Sequence, residues 1–206
     1  MSLELNRKTL ANSLLHLSLF FFLFITLGRL SEARETESLL NELKTTHEDY
    51  LPIGTVCEQA AKIKLREQFP APHFAIETGV VYGTRSHAIG ELDIVVFNQH
   101  THQVTLIGEV KCWQNTHKAL RKANIQRKRF FYTLSTLPKV LFYLDKDRQI
   151  TYDQGQFSTQ IPFVLISQQD HESSGFDIIL DYTREELMEV RDQLLSCQKG
   201  GTCLSR

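Results

Sequence analysis

The chain has 206 residues, 42% hydrophobic and 23% charged, which is ordinary for a soluble globular protein and enough for one domain with a real core. Its 23 Lys and Arg nearly balance 24 Asp and Glu, for a net charge of −1, so affinity for nucleic acid cannot be read from the total and must come from local clustering. No internal repeat or low-complexity segment is present, which excludes a repeat array.

Arg7 and Lys8 precede an apolar run from Leu14 to Leu27, and Ser31-Glu32-Ala33 follows as a small-x-small pattern suited to signal peptidase. The run is shorter than the ~20 residues that a spanning helix needs. Residues 1–33 therefore read as a cleaved signal peptide, and residues 34–206 as a single domain. Arg29, just after the run, keeps an uncleaved membrane anchor open as the alternative. Export, to a periplasm or the medium, places Cys57, Cys112, Cys197 and Cys203 in an oxidising compartment. Cys197 and Cys203 flank a flexible loop that can close locally, which leaves Cys57 with Cys112; four free, partly buried thiols are the alternative. No cysteine or histidine spacing matches a zinc site.

In chain order, Glu35 to Lys44 reads as a short amphipathic helix on the domain surface, ended by Leu51-Pro52-Ile53-Gly54. Thr55 to Phe69 reads as the first core helix, with Thr55 and Glu58 as a capping box and Pro70 and Pro72 as its stop. Three strands follow, His73 to Tyr82, Ser86 to Phe97 and Val104 to Cys112, as an antiparallel meander. His100 and His102 fall in the turn between the last two, and polar turn residues of this kind rarely form a metal site. Thr116 to Leu134 is a helix with Asn115 or Thr116 as its cap. Strands are expected at Val140 to Leu144, Ile150 to Tyr152, Ile161 to Ser167 and Phe176 to Leu180. Gln168 to Gly175 reads as a mobile loop, and Thr183 to Cys197 as a terminal helix opened by a Thr183–Glu186 capping box.

Three charges stand where a strand core should be apolar: Asp93, Glu109 and Lys111. Strand side chains alternate faces, so Glu109 and Lys111 share one face while Val110 and Cys112 take the other. Pairing of the two strands can bring Asp93 beside Glu109. Unpaired buried charge is costly, so a divalent cation is a natural resident, and carboxylate oxygens suit Mg²⁺ or Mn²⁺. From Lys111 to Arg129 seven basic residues, including Lys118, Arg121, Lys122 and Arg129, run without one Asp or Glu. A basic helix beside a carboxylate cluster is what a phosphodiester substrate requires, although a solvated helix face is the commoner fate of such a run. Ala119, Ala123, Gln126, Phe130 and Leu134 share a stripe on that helix, and the Gln126 amide there wants a polar partner or water. Trp113, just after the lysine, is assigned to packing rather than to base stacking.

Asp93 followed by Glu109-Val110-Lys111, with Gly90-Glu91-Leu92-Asp93 on the first strand, resembles the PD-(D/E)xK nuclease superfamily in its Holliday-junction-resolvase-like and RecB-like forms. Leu92 stands where the motif's proline would be. The resemblance spans about Thr55 to Phe131. It implies an α/β, restriction-endonuclease-like core, a central mixed sheet flanked by helices. It further implies metal-dependent hydrolysis of phosphodiester bonds, with Asp93, Glu109 and the Val110 carbonyl as ligands of Mg²⁺ or Mn²⁺. Lys111 would orient water or neutralise charge, Glu58 would supply a helical acid, and Gln126 would match the glutamine that RecB-like nucleases carry on the equivalent helix. Lys118, Arg121, Lys122 and Arg129 would contact the phosphates of DNA, and no nucleotide cofactor is implied. A catalytically inactive binding module of the same fold and a structural envelope protein with an ordinary cross-strand charge network are the competing expectations.

Overall fold

Residues 34–171 and 174–204 are described in the computed structural model. The segment read as a signal peptide, residues 1–33, lies outside the described residues, as do 172–173 and 205–206. Among the described residues no helix is long and apolar enough to cross a membrane.

Helix α1 (34–43) forms where the leucine spacing predicts it. Leu39, Leu40 and Leu43 are buried, so it is part of the core rather than a surface appendage. Helix α2 (Ile53–Arg66) starts two residues before the expected Thr55. Pro52 is its N-cap and no side chain caps it. The Thr55 N–H donates to the Pro52 carbonyl (3.3 Å), so Thr55 already lies in the first turn and the predicted capping box does not form. Proline's fixed φ suits a helix entry without a capping side chain, and Glu58 has no capping duty.

The meander is realised as β1 (Phe74–Gly83), β2 (Ala88–Asn98) and β3 (Val104–Val110). Helix α3 (Thr116–Thr136) follows, capped by Asn115, whose side chain accepts from the Lys118 N–H. Then come β4 (Leu141–Leu144), β5 (Asp147–Tyr152), β6 (Phe163–Ser167), the two-residue β7 (Ile178–Ile179) and helix α4 (Arg184–Lys199). The Thr183–Glu186 capping box of α4 forms as expected. One seven-stranded sheet results, in the order β5-β4-β1-β2-β3-β6-β7. It is mixed: the neighbours from β5 to β3 are antiparallel, and β3, β6 and β7 are parallel. The architecture is thus α/β, a mixed sheet flanked by helices.

Two apolar layers cover the sheet. One joins α1, α2 and α4 through Leu43, Ala60, Leu65, Leu187 and Val190 to Ile76, Ile94 and Val96. The other joins α3 through Ala123, Phe130 and Leu134 to Val80, Leu92, Val95 and an aromatic group of Tyr82, Phe142, Phe157 and Phe163. Even-numbered residues of β1 and β2 change layer between Thr78 and Val80 and between Leu92 and Ile94. Gly79 sits at that level with φ of 73°, a left-handed conformation that glycine adopts without steric cost. The ladder omits Gly79 and Asp93 there, so Asp93 lies at the level where the side chains change layer.

Both disulfides close as local closure of the C-terminal loop requires, Cys197 to Cys203 and Cys57 to Cys112. The second ties α2 to the segment leaving β3, with Cα atoms 6.3 Å apart. Loop-closure entropy gives about 4 kcal/mol for a ring closed across 55 residues and about 2 kcal/mol across six. Replacing Cys57 and Cys112 together by Ala should therefore lower the unfolding free energy by up to about twice as much as replacing Cys197 and Cys203, measured by urea titration of each double variant.

Candidate functional site

β3 ends at Val110, so Lys111 leaves the sheet at its parallel junction with β6, where the Lys111 N–H donates to the Ile166 carbonyl (3.0 Å). The Lys111 side chain turns back over the strand ends. Its Nζ donates to Asp93 Oδ2 (3.0 Å) and to the Val110 carbonyl (2.9 Å), and it forms an ion pair with Glu109 Oε1. Asp93 Oδ2 also accepts from the Val110 N–H (2.8 Å). The three oxygen donors expected to hold a cation, those of Asp93, Glu109 and Val110, therefore converge on one positive charge, the ammonium of Lys111.

The electrostatics follow from burial. Glu109 is 0% exposed, and its Oε2 has no hydrogen-bond partner among the described residues. Burial first, then the neighbouring Asp93, pushes its carboxyl up to about 8, against the opposing pull of Lys111. Glu58 on α2 is also pushed up to about 8, by burial and then by Asp93 and Glu91. Glu91 itself is raised by burial, then by Asp93 and Asp145. For Lys111 burial works against the charged form, but Asp93 and Glu109 more than offset it and its pKa lies above the usual value. Burial thus disfavours the charged forms of Glu58, Glu91 and Glu109, while the neighbouring carboxylates favour the charged form of Lys111.

A cleft of about 440 Å³ opens at the Val110–Lys111 end of this cluster, lined also by Glu58, Trp113, Lys122, Gln126 and Arg184 among others. The Gln126 carbonyl oxygen, Oε1, is buried without a partner among the described residues. Glu58 also lines a second, acidic cleft beyond it, with Glu91 and Asp145. Of the basic residues predicted on α3, Lys122 borders the first cleft, whereas Lys118 and Arg121 stand exposed on the helix. Arg129 is hydrogen-bonded to the Tyr82 hydroxyl, opposing the upward push of burial on that phenol. Gly90 admits that contact, since a Cβ there would come within 2.6 Å of the Tyr82 hydroxyl oxygen. Among the described residues no acidic side chain forms a salt bridge with α3.

Among the described residues no three His, Cys, Asp or Glu side chains group closely enough to hold a metal ion. A cation here would rest on two carboxylates and a backbone carbonyl. The donors fit a hard ion: all are oxygens, they already gather around positive charge, and one buried carboxylate oxygen of Glu109 is unpartnered.

Three features differ from expectation or were not anticipated. Trp113 was expected to pack, yet it is 43% exposed at the cleft mouth, because the chain has already left the sheet two residues earlier. Gln168 to His171 was expected to be part of a mobile loop; instead Gln168 and His171 are buried and hydrogen-bonded. Ser167 Oγ donates to the Lys111 carbonyl (2.6 Å), so its oxygen accepts from His171 Nδ1 (2.7 Å). His171 Nε2 then accepts from Gln168 Nε2 (3.1 Å), whose other hydrogen goes to the Trp113 carbonyl (2.9 Å). This network fixes the backbone from Lys111 to Trp113. Arg184, in the first turn of α4, is the third: no spacing in the sequence marks it as a cleft residue.

Comparison with protein families, with curated proteins and with solved structures gives no match to this chain.

The network makes a pH prediction. Burial lowers the pKa of His171 from its ordinary value of 6.5, with Asp170 opposing. The unfolded chain then binds a proton that the folded protein does not, so this contribution to stability is present above about pH 6.5 and is lost as pH falls below it. Unfolding free energies measured from pH 8 to pH 5 should show a steeper acid-side loss in the wild type than in His171→Gln.

Proposed function

We propose that this chain is an exported, metal-dependent nuclease of the PD-(D/E)xK type that hydrolyses phosphodiester bonds of DNA. The observation that carries the reading is the convergence of Asp93, Glu109 and the Val110 carbonyl on one cationic point under an unneutralised basic helix. The order α2, β1-β2-β3, α3 and the parallel β6 supports a restriction-endonuclease-like core. The two disulfides are compatible with export.

Mg²⁺ or Mn²⁺, when bound, supplies a Lewis acid at the phosphate and a more acidic water. Asp93, Glu109 and the Val110 carbonyl are the residues that would hold it. Lys111 serves as a donor to the charge that develops on the phosphoryl oxygens. Glu58, which lines the same cleft from α2, orients the attacking water. Gln126 lines the same cleft, with its carbonyl oxygen buried and without a partner among the described residues. Lys118, Arg121, Lys122 and Arg129 hold the phosphate backbone, which gives affinity without sequence preference.

Plasmid nicking in Mg²⁺ against EDTA tests the reading. Asp93→Asn and Lys111→Ala should each lower the cleavage rate by on the order of 10²-fold or more, with unchanged far-UV circular dichroism. Wild-type rates in either variant would overturn the assignment. Salt-sensitive binding without cleavage would instead identify a non-catalytic binding module, and neither binding nor cleavage a structural protein. Lys122→Ala should weaken DNA binding evenly across sequences and lower the slope of log K against log salt by about one, read by anisotropy titrations at several salt concentrations.

A further inference from the structure

Trp113 is a large aromatic ring that is 43% exposed beside a desolvated charge cluster, and core packing does not account for it. Its backbone is not loose. The buried Gln168 amide holds the Trp113 carbonyl, and the Ser167 hydroxyl holds the Lys111 carbonyl two residues before it. Cys112, between them, is locked to α2 by its disulfide. An exposed apolar ring on so constrained a backbone is presented rather than left over. Ile53, the first residue of α2, lines the same cleft and is 53% exposed. The cleft's volume of about 440 Å³ falls in the range of about 300–1,000 Å³ that small ligands occupy.

Resting on the nuclease reading, we infer that Trp113 is a stacking platform for an unpaired base of single-stranded DNA, with Ile53 as a further apolar surface of the same cleft. A base within duplex DNA has both faces covered by its neighbours, so an exposed indole can stack only on one that is unpaired or turned out. Trp113 and Lys111 line the same cleft, so the stacked base belongs to a nucleotide close to the phosphate that Lys111 meets. Lys122, on the same rim, takes an adjoining phosphate. The preferred substrate becomes single-stranded DNA, or duplex with a frayed, flapped or locally unpaired stretch such as supercoiling opens in a plasmid, rather than fully paired duplex.

Trp113 is the sole tryptophan of the chain, so its own fluorescence reports the contact. The full-length protein is titrated in EDTA, which separates binding from cleavage, with oligothymidylate, with an abasic oligonucleotide of equal length, and with a blunt duplex. Saturable quenching by oligothymidylate alone is expected. By anisotropy of a labelled strand, Trp113→Ala should bind oligothymidylate on the order of tenfold more weakly, Trp113→Phe should retain most of the affinity, and duplex binding should be unchanged in both. Equal quenching by the abasic strand, or undiminished binding by Trp113→Ala, overturns the inference. Absence of binding to every strand overturns both it and the nuclease reading. Base-dependent quenching without Mg²⁺-dependent cleavage overturns the nuclease reading and leaves the stacking platform standing.

Discussion

Three oxygens gathered on one ammonium decide the local structure. Asp93 comes from the middle of β2 and Glu109 and the Val110 carbonyl from the end of β3, and each would be poorly placed beside the others without positive charge between them. Taking a carboxylate out of water is expensive, and only good geometry and additional hydrogen bonds repay it. Here the Val110 N–H and Lys111 supply them to Asp93, while Glu109 keeps an unpartnered oxygen and a raised pKa. Truncating a partner in such a buried pair typically costs about 3–5 kcal/mol, because it leaves the other charge uncompensated. The same lysine is therefore a structural counter-ion in the ligand-free protein and, in the proposed reaction, the donor to the phosphoryl group.

The cluster stays in register because its backbone is held from both sides of the sheet. On one face the Cys57–Cys112 bridge ties the residue after Lys111 to the residue before Glu58. At the β6 edge the Ser167, Gln168 and His171 network grips the carbonyls of Lys111 and Trp113. Between β1 and β2 the left-handed Gly79 marks the level at which the strands change layer, next to Asp93. Rigid elements of this kind hold a site more precisely than loops do.

Much of this was legible in the sequence for a definite reason. Two β-branched runs around a polar turn specify a hairpin, and with one face buried its register is strongly constrained, so Asp93 opposite Glu109 could be anticipated. The helix carrying Lys118 to Arg129 was legible because its caps and apolar stripe agree. The Thr183–Glu186 box was legible from two side chains alone, whereas the Thr55–Glu58 pair had the same letters and did not form. Proline at the helix entrance decided that case, with no side chain needed to announce it. Trp113 was misassigned because apolarity speaks for burial on average and says nothing of where a strand ends. Gln168 to His171 looked like a polar loop since the carbonyls it serves lie more than 50 residues earlier in the chain.

The Cys57–Cys112 bridge closes a covalent ring whose two ends abut the cluster: Glu58 is the first residue inside it and Lys111 the last, with Asp93 and Glu109 between. A protease that nicks the β1–β2 turn or the β2–β3 turn consequently produces no free fragments. The severed halves travel as one species on a non-reducing gel and part only when a thiol is added, so every acidic member of the cluster and its lysine remain on a single tethered body after the chain itself has been cut.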